Sequence, residues 1–164
     1  MAIDSVVRHD CDGTIQLLDG TGTPVTLDVP FTQGDFSLTG LIKEQREVVA
    51  YQSRGALHSI RLGDKTFPTV SFSAMLSNLT DATLTTALDF LRKAGSYSSN
   101  ATQSTNSAEV FTVGMKLTIE GTDHGASKDD VITLTNVACT FDVGEGRPNT
   151  LTVNGTVYGS VAMA

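Results

Sequence analysis

Leu79 to Gly95 is the one stretch that reads as a helix, in a chain whose other apolar residues mostly alternate with polar ones. Leu84, Ala87, Leu88 and Leu91 recur at helical spacing and form one apolar stripe. Thr80 is expected to cap the start, because its hydroxyl can accept a hydrogen bond from an orphan backbone N–H. Leu79 and Leu84 then occupy the two positions of a hydrophobic staple. Asp81 in the first turn and Arg92 and Lys93 in the last suit the helix dipole. Gly95 is expected to follow in the left-handed conformation. The helix should run from about 80 to 94. A helix with a single apolar stripe must lie on something, and strands flank it on both sides in sequence.

The alternation defines those strands. Thr14 to Leu18 and Val25 to Val29 read as two strands joined by a turn-rich segment from Asp19 to Pro24. Phe36, Leu38 and Ile42 share a face with Gly40 in the next. Lys43 to Arg54 begins with a charge run and continues as Val48-Val49-Ala50-Tyr51, which suits either a strand or a loop that orders against a neighbour. Leu57 to Leu62 reads as a short strand ended by a turn at Gly63-Asp64. From Phe67 to Ser77, Val70, Phe72, Ala74 and Leu76 fall on one face and mostly hydroxyl residues on the other. Phe111, Val113, Met115, Leu117 and Ile119 give the cleanest strand.

Val131 to Val143 carries a defect. Ile132 and Leu134 have one parity, whereas Val137, Cys139, Phe141 and Val143 have the other. A one-residue slip flips every side chain, so a β-bulge is expected near Thr135-Asn136. After a turn at 144–148, Leu151, Val153, Val157 and Val161, with Gly155 and Gly159 between them, make the last strand. The two polar connections, Ser96–Glu109 and Gly121–Asp130, have little to bury. The expectation is seven to nine antiparallel strands and one helix in one domain over residues 1–164, a β-sandwich or barrel with a flanking helix.

A 164-residue chain can bury roughly 70% of its unfolded surface without metal or disulfide support. With 18 acidic against 11 basic residues, the net charge is −7. Phosphate-binding proteins want the opposite sign, so neither specific nucleic-acid binding nor an anionic membrane partner is expected. No apolar window approaches a membrane span. The first residues lack a basic stretch followed by an apolar run, so no signal peptide is expected, and Cys11 and Cys139 read as reduced thiols. The Asn-x-Thr sequons at Asn78, Asn100 and Asn154 read as chance.

No catalytic, metal or cofactor site emerges. His9-Asp10-Cys11-Asp12 holds three ligand types, but neighbours on an extended chain point to opposite faces. Asp123-His124 with Asp129 and Asp130 lacks the alternating oxygen ligands of a calcium loop. Gly63-Asp64-Lys65-Thr66 has no Gly-rich lead-in to a helix, and no Gly-x-Ser-x-Gly elbow occurs. His58 has no evident acid partner and reads as a structural histidine. Sugar-binding sandwiches usually stack ligands on exposed aromatic faces, and this chain has no Trp and only Tyr51, Tyr97 and Tyr158.

The segment from Leu134 to Gly159, with its Val-Gly-Glu-Gly-Arg-Pro turn between two long strands, resembles the tail tube (major tail) proteins of tailed bacteriophages. Leu62 to Ala74, the strand before the helix, is similar to the same family. The resemblance covers residues 57–162 and leaves the N-terminal third unmatched. It implies a phage tail-tube-like fold and a non-enzymatic subunit that forms hexameric rings. These stack into a hollow tube, in a virion tail assembled in the host cytoplasm.

Its partners would be further copies of itself and other tail proteins, with genome DNA passing through without specific binding. The Thr-rich strand faces suit a polar bore. Gln45, Arg46, Tyr51, Arg54 and Tyr97, in or beside the two segments that are hardest to place, are then the candidate inter-subunit contacts. Another ring-forming tail protein (a terminator, a hub or the inner tube of a contractile system) is the neighbouring alternative. A monomeric β-sandwich glycan-binding module is the alternative of a different class.

Overall fold

The computed structural model describes residues 13–21, 23, 25–29, 36–76, 86–98, 110–120 and 128–164. In chain order the strands are β1 (Gly13–Leu18), β2 (Thr26–Val29), β3 (Ser37–Thr39), β4 (Arg46–Ser53), β5 (Ala56–Lys65) and β6 (Thr69–Met75). Helix α1 (Ala87–Arg92) and a 3-10 turn (Gly95–Tyr97) follow, then β7 (Val113–Ile119), β8 (Asp130–Gly144), β9 (Thr150–Val157) and β10 (Val161–Met163). Among the described residues the fold is mainly antiparallel β with one short helix, as the alternation predicts.

Among the described residues eight strands form one sheet in the order β2-β1-β7-β8-β9-β6-β3, with β10 beside β8; β4 and β5 form a separate two-stranded sheet. The inward residues of the large sheet make one apolar core. Ile15 and Leu17, Val70 and Phe72, Val113 and Met115, Val137, Val153 and Val157 are its centre, and Leu88, Phe90 and Leu91 of α1 pack into it. Val29 in one edge strand belongs to this cluster, and Leu38 in the other packs against it. The period-2 patterning therefore sets which side of the large sheet's strands faces this core.

The helix starts later than its sequence pattern. Thr86, not a residue further upstream, holds the cap position, its Oγ1 accepting the Asp89 N–H at 3.1 Å. The expected Thr80 cap, the Leu79–Leu84 staple and Asp81 lie outside the described residues. Leu88 and Leu91 are buried as expected, but so are Asp89 and Phe90, so the buried surface is wider than one stripe. The left-handed residue ending the helix is Lys93 (φ 52°); Gly95 (φ 57°) instead opens the 3-10 turn.

β8 bears the expected bulge. Met115 faces Leu134 while Val113 faces Val137, so β8 carries one extra residue, and Asn136 sits at φ 51°. The predicted last strand is two. β9 ends at Val157 and β10 begins at Val161, because the chain must pass the bulge at Gly159, where a Cβ would overlap Thr135.

Two other expectations are corrected. Ile42 does not continue β3: Gly40 (φ 76°) turns the chain over Pro68, leaving Leu41 and Ile42 exposed. Gly63-Asp64 is not a turn but part of β5. Gly63 lacks a side chain because Val49 Cγ2 would stand 2.9 Å from its Cβ. The turn is Arg54-Gly55, both at positive φ (50° and 81°), in a two-residue loop of the kind that matches strand twist.

Candidate interaction surface

The β4–β5 hairpin is the arm of this molecule. Its root is fastened by backbone bonds from Gln45 N–H to Ile42 O (3.2 Å) and from Thr66 N–H to Gln45 O (2.9 Å). Gln45 itself takes φ 47°, and its Nε2 donates to Ile42 O at 2.8 Å. Arg46 Nε donates to Gly63 O at 3.0 Å, tying the two strands just above the root.

The register sorts the arm into two faces. Val48 is opposite Leu62, Ala50 opposite Ile60 and Gln52 opposite Leu57, and directly paired residues share a side. That side is apolar and open: Val48 is 63% exposed, Leu57 59%, Ile60 60% and Leu62 50%. The other side carries Tyr51, with the Arg61 guanidinium 5.9 Å from its ring centre, and Ser59. Residues 48–63 include Arg54 and Arg61 and no acidic side chain, within a chain of net charge −7.

Four of the five sequence-predicted contact residues belong to this arm: Gln45 at its root, Arg46 and Tyr51 on β4, and Arg54 in its turn. Tyr97 lies elsewhere. It is 3% exposed and packs edge-on against Phe90, ring centres 5.0 Å apart, as part of the core. The apolar residues Val48, Leu57, Ile60 and Leu62 escape the sequence reading. A register shift between Tyr51 and Gln52 breaks the β5 alternation at His58, which is exposed on the arm rather than structural.

Below the arm lies a groove of about 470 Å³, walled by Leu41, Ile42, Lys43, Lys65, Phe67 and Met163 among others. Lys65 Nζ sits 5.3 Å from the Phe67 ring centre, and Phe67 packs against Tyr158. Gln45 and Thr66, which also line the groove, each keep a buried side-chain oxygen without a hydrogen-bond partner among the described residues.

The outer face of β3-β6-β9-β8 has a different character. Paired across the four strands, Thr39, Thr69, Thr156 and Ala138 form one row, and Ser37, Ser71, Asn154 and Thr140 the next. Ser73, Thr152 and Asp142 form a third. Thr39 and Thr69 hydroxyls bond at 2.8 Å, and Ser73 and Thr152 at 3.3 Å. Asp142 is the single charge in the three rows.

Among the described residues no cluster of three or more His, Cys, Asp or Glu is placed to hold a metal, and no helix is long and apolar enough to cross a membrane. The His9–Asp12 segment, Cys11 and His124 lie outside the described residues. Lys65 and Thr66 continue from strand β5 rather than from a phosphate loop. Cys139 is a free thiol on β8, and burial pushes its pKa up to about 12.

No protein-family model and no curated protein match the sequence. Among solved structures, a chain from the sheath–tube complex of an extracellular contractile injection system (PVC) in the extended state superimposes with a TM-score of 0.59. It is 10% identical, with 98% of this chain and 93% of that chain covered. A chain from the sheath/tube terminator of the PVC system gives 0.55 at 12% identity, covering 100% and 98%. A chain from the baseplate of the anti-feeding prophage (AFP), six-fold symmetrised, gives 0.52 at 13% identity, covering 100% and 97%. The fold is thus shared, over nearly the whole chain, with chains from a sheath–tube complex, a sheath/tube terminator and a baseplate.

Proposed function

We propose that this chain is a non-enzymatic structural subunit that assembles with copies of itself into hexameric rings, stacked as the hollow tube of a phage or phage-like tail. The observation that carries the reading is the arm. A two-stranded hairpin is marginal in water by itself, and this one holds an apolar face toward solvent. Exposed contiguous apolar surface on a folded domain marks a contact with another chain. The arm reaches roughly 30 Å at about 3.3 Å per residue, far enough to lie across a neighbour. Arg46, Tyr51 and Arg54 are its polar contacts, and Gln45 sets its angle.

In this reading the hydroxyl rows on β3, β6, β9 and β8 face the bore. A surface of Ser, Thr and Asn offers no Lys or Arg to phosphate, so DNA passes without being gripped. The partners are copies of the chain and other tail proteins, and the place of action is the tail of the particle, after assembly in the host cytoplasm. The fold likeness to a terminator-complex chain and a baseplate chain supports a second reading, another ring of the same machine. Ring assemblies that stop at one layer would favour that second reading.

The test is the mass of the purified protein in solution over a rising concentration series. Growth from 17.3 kDa to six-fold multiples is expected. A monomer that binds an immobilised glycan array would overturn the reading in favour of a sugar-binding module.

A further inference from the structure

Strand β10 leaves an edge of the large sheet open. Among the described residues it pairs with β8 alone, on the same side of that strand as β9. Val131 and Ala164 exchange both backbone bonds at 2.9 Å, and Thr135 N–H donates to Ser160 O at 3.1 Å. Antiparallel partners alternate between bonded and non-bonded pairs. Ala162, opposite Thr133, is therefore bonded to β8, whereas Val161 and Met163, opposite Leu134 and Ile132, are not. The N–H and carbonyl groups of these two residues point away from β8, and no other described strand takes them.

That edge borders the arm-root groove, whose lining includes Val161 and Met163. β6 does not cover it, because the chain before Pro68 departs into the arm. Pro68 O still accepts the Val157 N–H at 2.9 Å, but the Thr66 N–H already bonds Gln45 O in the arm root. Leu41, Ile42 and Phe67 add apolar lining, between 39% and 43% exposed. Lys43 and Lys65 line the groove as well, whereas their chain neighbours Glu44 and Asp64 do not, and no other acidic residue does. Unpaired backbone groups beside apolar side chains and positive charge are what an added strand with acidic side chains requires.

The described edges of a second copy do not supply such a strand. β3 is Ser37-Leu38-Thr39, without charge, and the one carboxylate of β2, Asp28, is held by Gln16 Nε2 at 3.1 Å. Residues 48–63 of the arm are basic, the same sign as the groove.

We propose that the groove binds an extended, acidic peptide segment of a different protein, which pairs with Val161 and Met163 as an added strand. Its apolar side chains, at every second position, lie against Leu41, Ile42 and Phe67, and its carboxylates meet Lys43 and Lys65. The inference concerns the single chain and stands apart from the assembly reading.

The probe is a capped, fluorescein-labelled peptide of about eight residues alternating Glu with Val, titrated into the full chain and read by anisotropy. Saturable binding with a Kd below about 100 μM is expected, weakened about tenfold or more by Lys43→Glu with Lys65→Glu. Met163→Pro should abolish binding, since it removes an outward N–H and no bond to β8. Should that variant fold poorly, N-methylating the peptide tests the same point. Methyl groups on residues of one parity should abolish binding and those on the other should leave it within about threefold. Amide exchange supplies the signature of pairing. The peptide should slow Val161 and Met163 about tenfold or more, with Ala162, already bonded to β8, unchanged. Absence of binding at millimolar peptide, equal binding of a peptide alternating Lys with Val, or indifference to both methylation patterns would overturn the proposal. So would Val161 and Met163 amides protected without peptide: at every concentration this would give the edge to the chain's own residues, and only at high concentration to a second copy.

Discussion

Gly159 lies against Thr135 so closely that a Cβ built on it would overlap the threonine hydroxyl and stand 2.5 Å from its carbonyl oxygen. The same threonine accepts the Ser160 N–H on Oγ1 at 2.8 Å and the Gly159 N–H on its carbonyl at 3.1 Å. The bulge in β8 and the break between β9 and β10 are thus two sides of one joint. The glycine is required by space, since its φ is not in the left-handed region. Gly159→Ala should destabilise the fold by about 1–3 kcal/mol through overpacking, and Thr135→Val by about 1 kcal/mol through the lost hydrogen bonds. Urea denaturation of the two variants checks both.

The helix seat is a separate source of stability. Phe90 is fully buried against Tyr97, so Phe90→Ala should cost about 3–5 kcal/mol. Thr86→Ala removes only the cap to Asp89 N–H and should cost about 1 kcal/mol. Thermal melts of the pair should show the core variant shifted several times further than the cap variant.

Cys139 supplies a pH signature. Its thiol is raised from 9.0 to about 12 by burial, so the folded chain holds the proton where the unfolded chain has released it. The contribution is fully present below pH 9 and is lost as pH rises from 9 towards 12. Cys139→Ser should flatten the fall in stability over that window. In a Cys11→Ser background, alkylation at pH 8 should be slow when folded and fast in denaturant.

The arm should separate assembly from folding. Val48→Asp with Ile60→Asp places charge on the open apolar face without touching the core. The melting temperature should move by less than about 2 °C, since exposed substitutions seldom change stability much. Sedimentation should nevertheless show loss of every species above the monomer.

The elements legible in the sequence are those whose side chains obey one rule. Val70, Phe72 and Ala74, and Val113, Met115 and Leu117, alternate because one face is buried, and the parity change between Leu134 and Val137 locates the bulge. The arm breaks that rule. Val48 to Tyr51 is a continuous apolar run and β5 slips at His58, so neither strand shows a clean period. Gly63 carries a turn residue's identity but serves a close strand contact with Val49. The Arg54-Gly55 turn lacks the Asn or Asp that usually announces such a loop.

The candidate surface was legible only in part. Gln45, Arg46, Tyr51 and Arg54 stand out as polar or aromatic residues in an unplaced segment, and they are on the arm. Val48, Leu57, Ile60 and Leu62 do not, because apolar residues in a sequence read as core. Only the register shows that they share an exposed face. Tyr97 stands in a polar stretch, yet its ring is needed beneath Phe90.

The most direct measurement is negative-stain electron microscopy of the purified protein, paired with amide hydrogen exchange of β4 and β5 at the same concentrations. The account expects six-fold rings or hollow tubes, with arm amides that become protected only as those particles appear. Isolated 17.3 kDa particles at every concentration, with the arm already protected, would contradict it, because the hairpin would then be stable without a second copy.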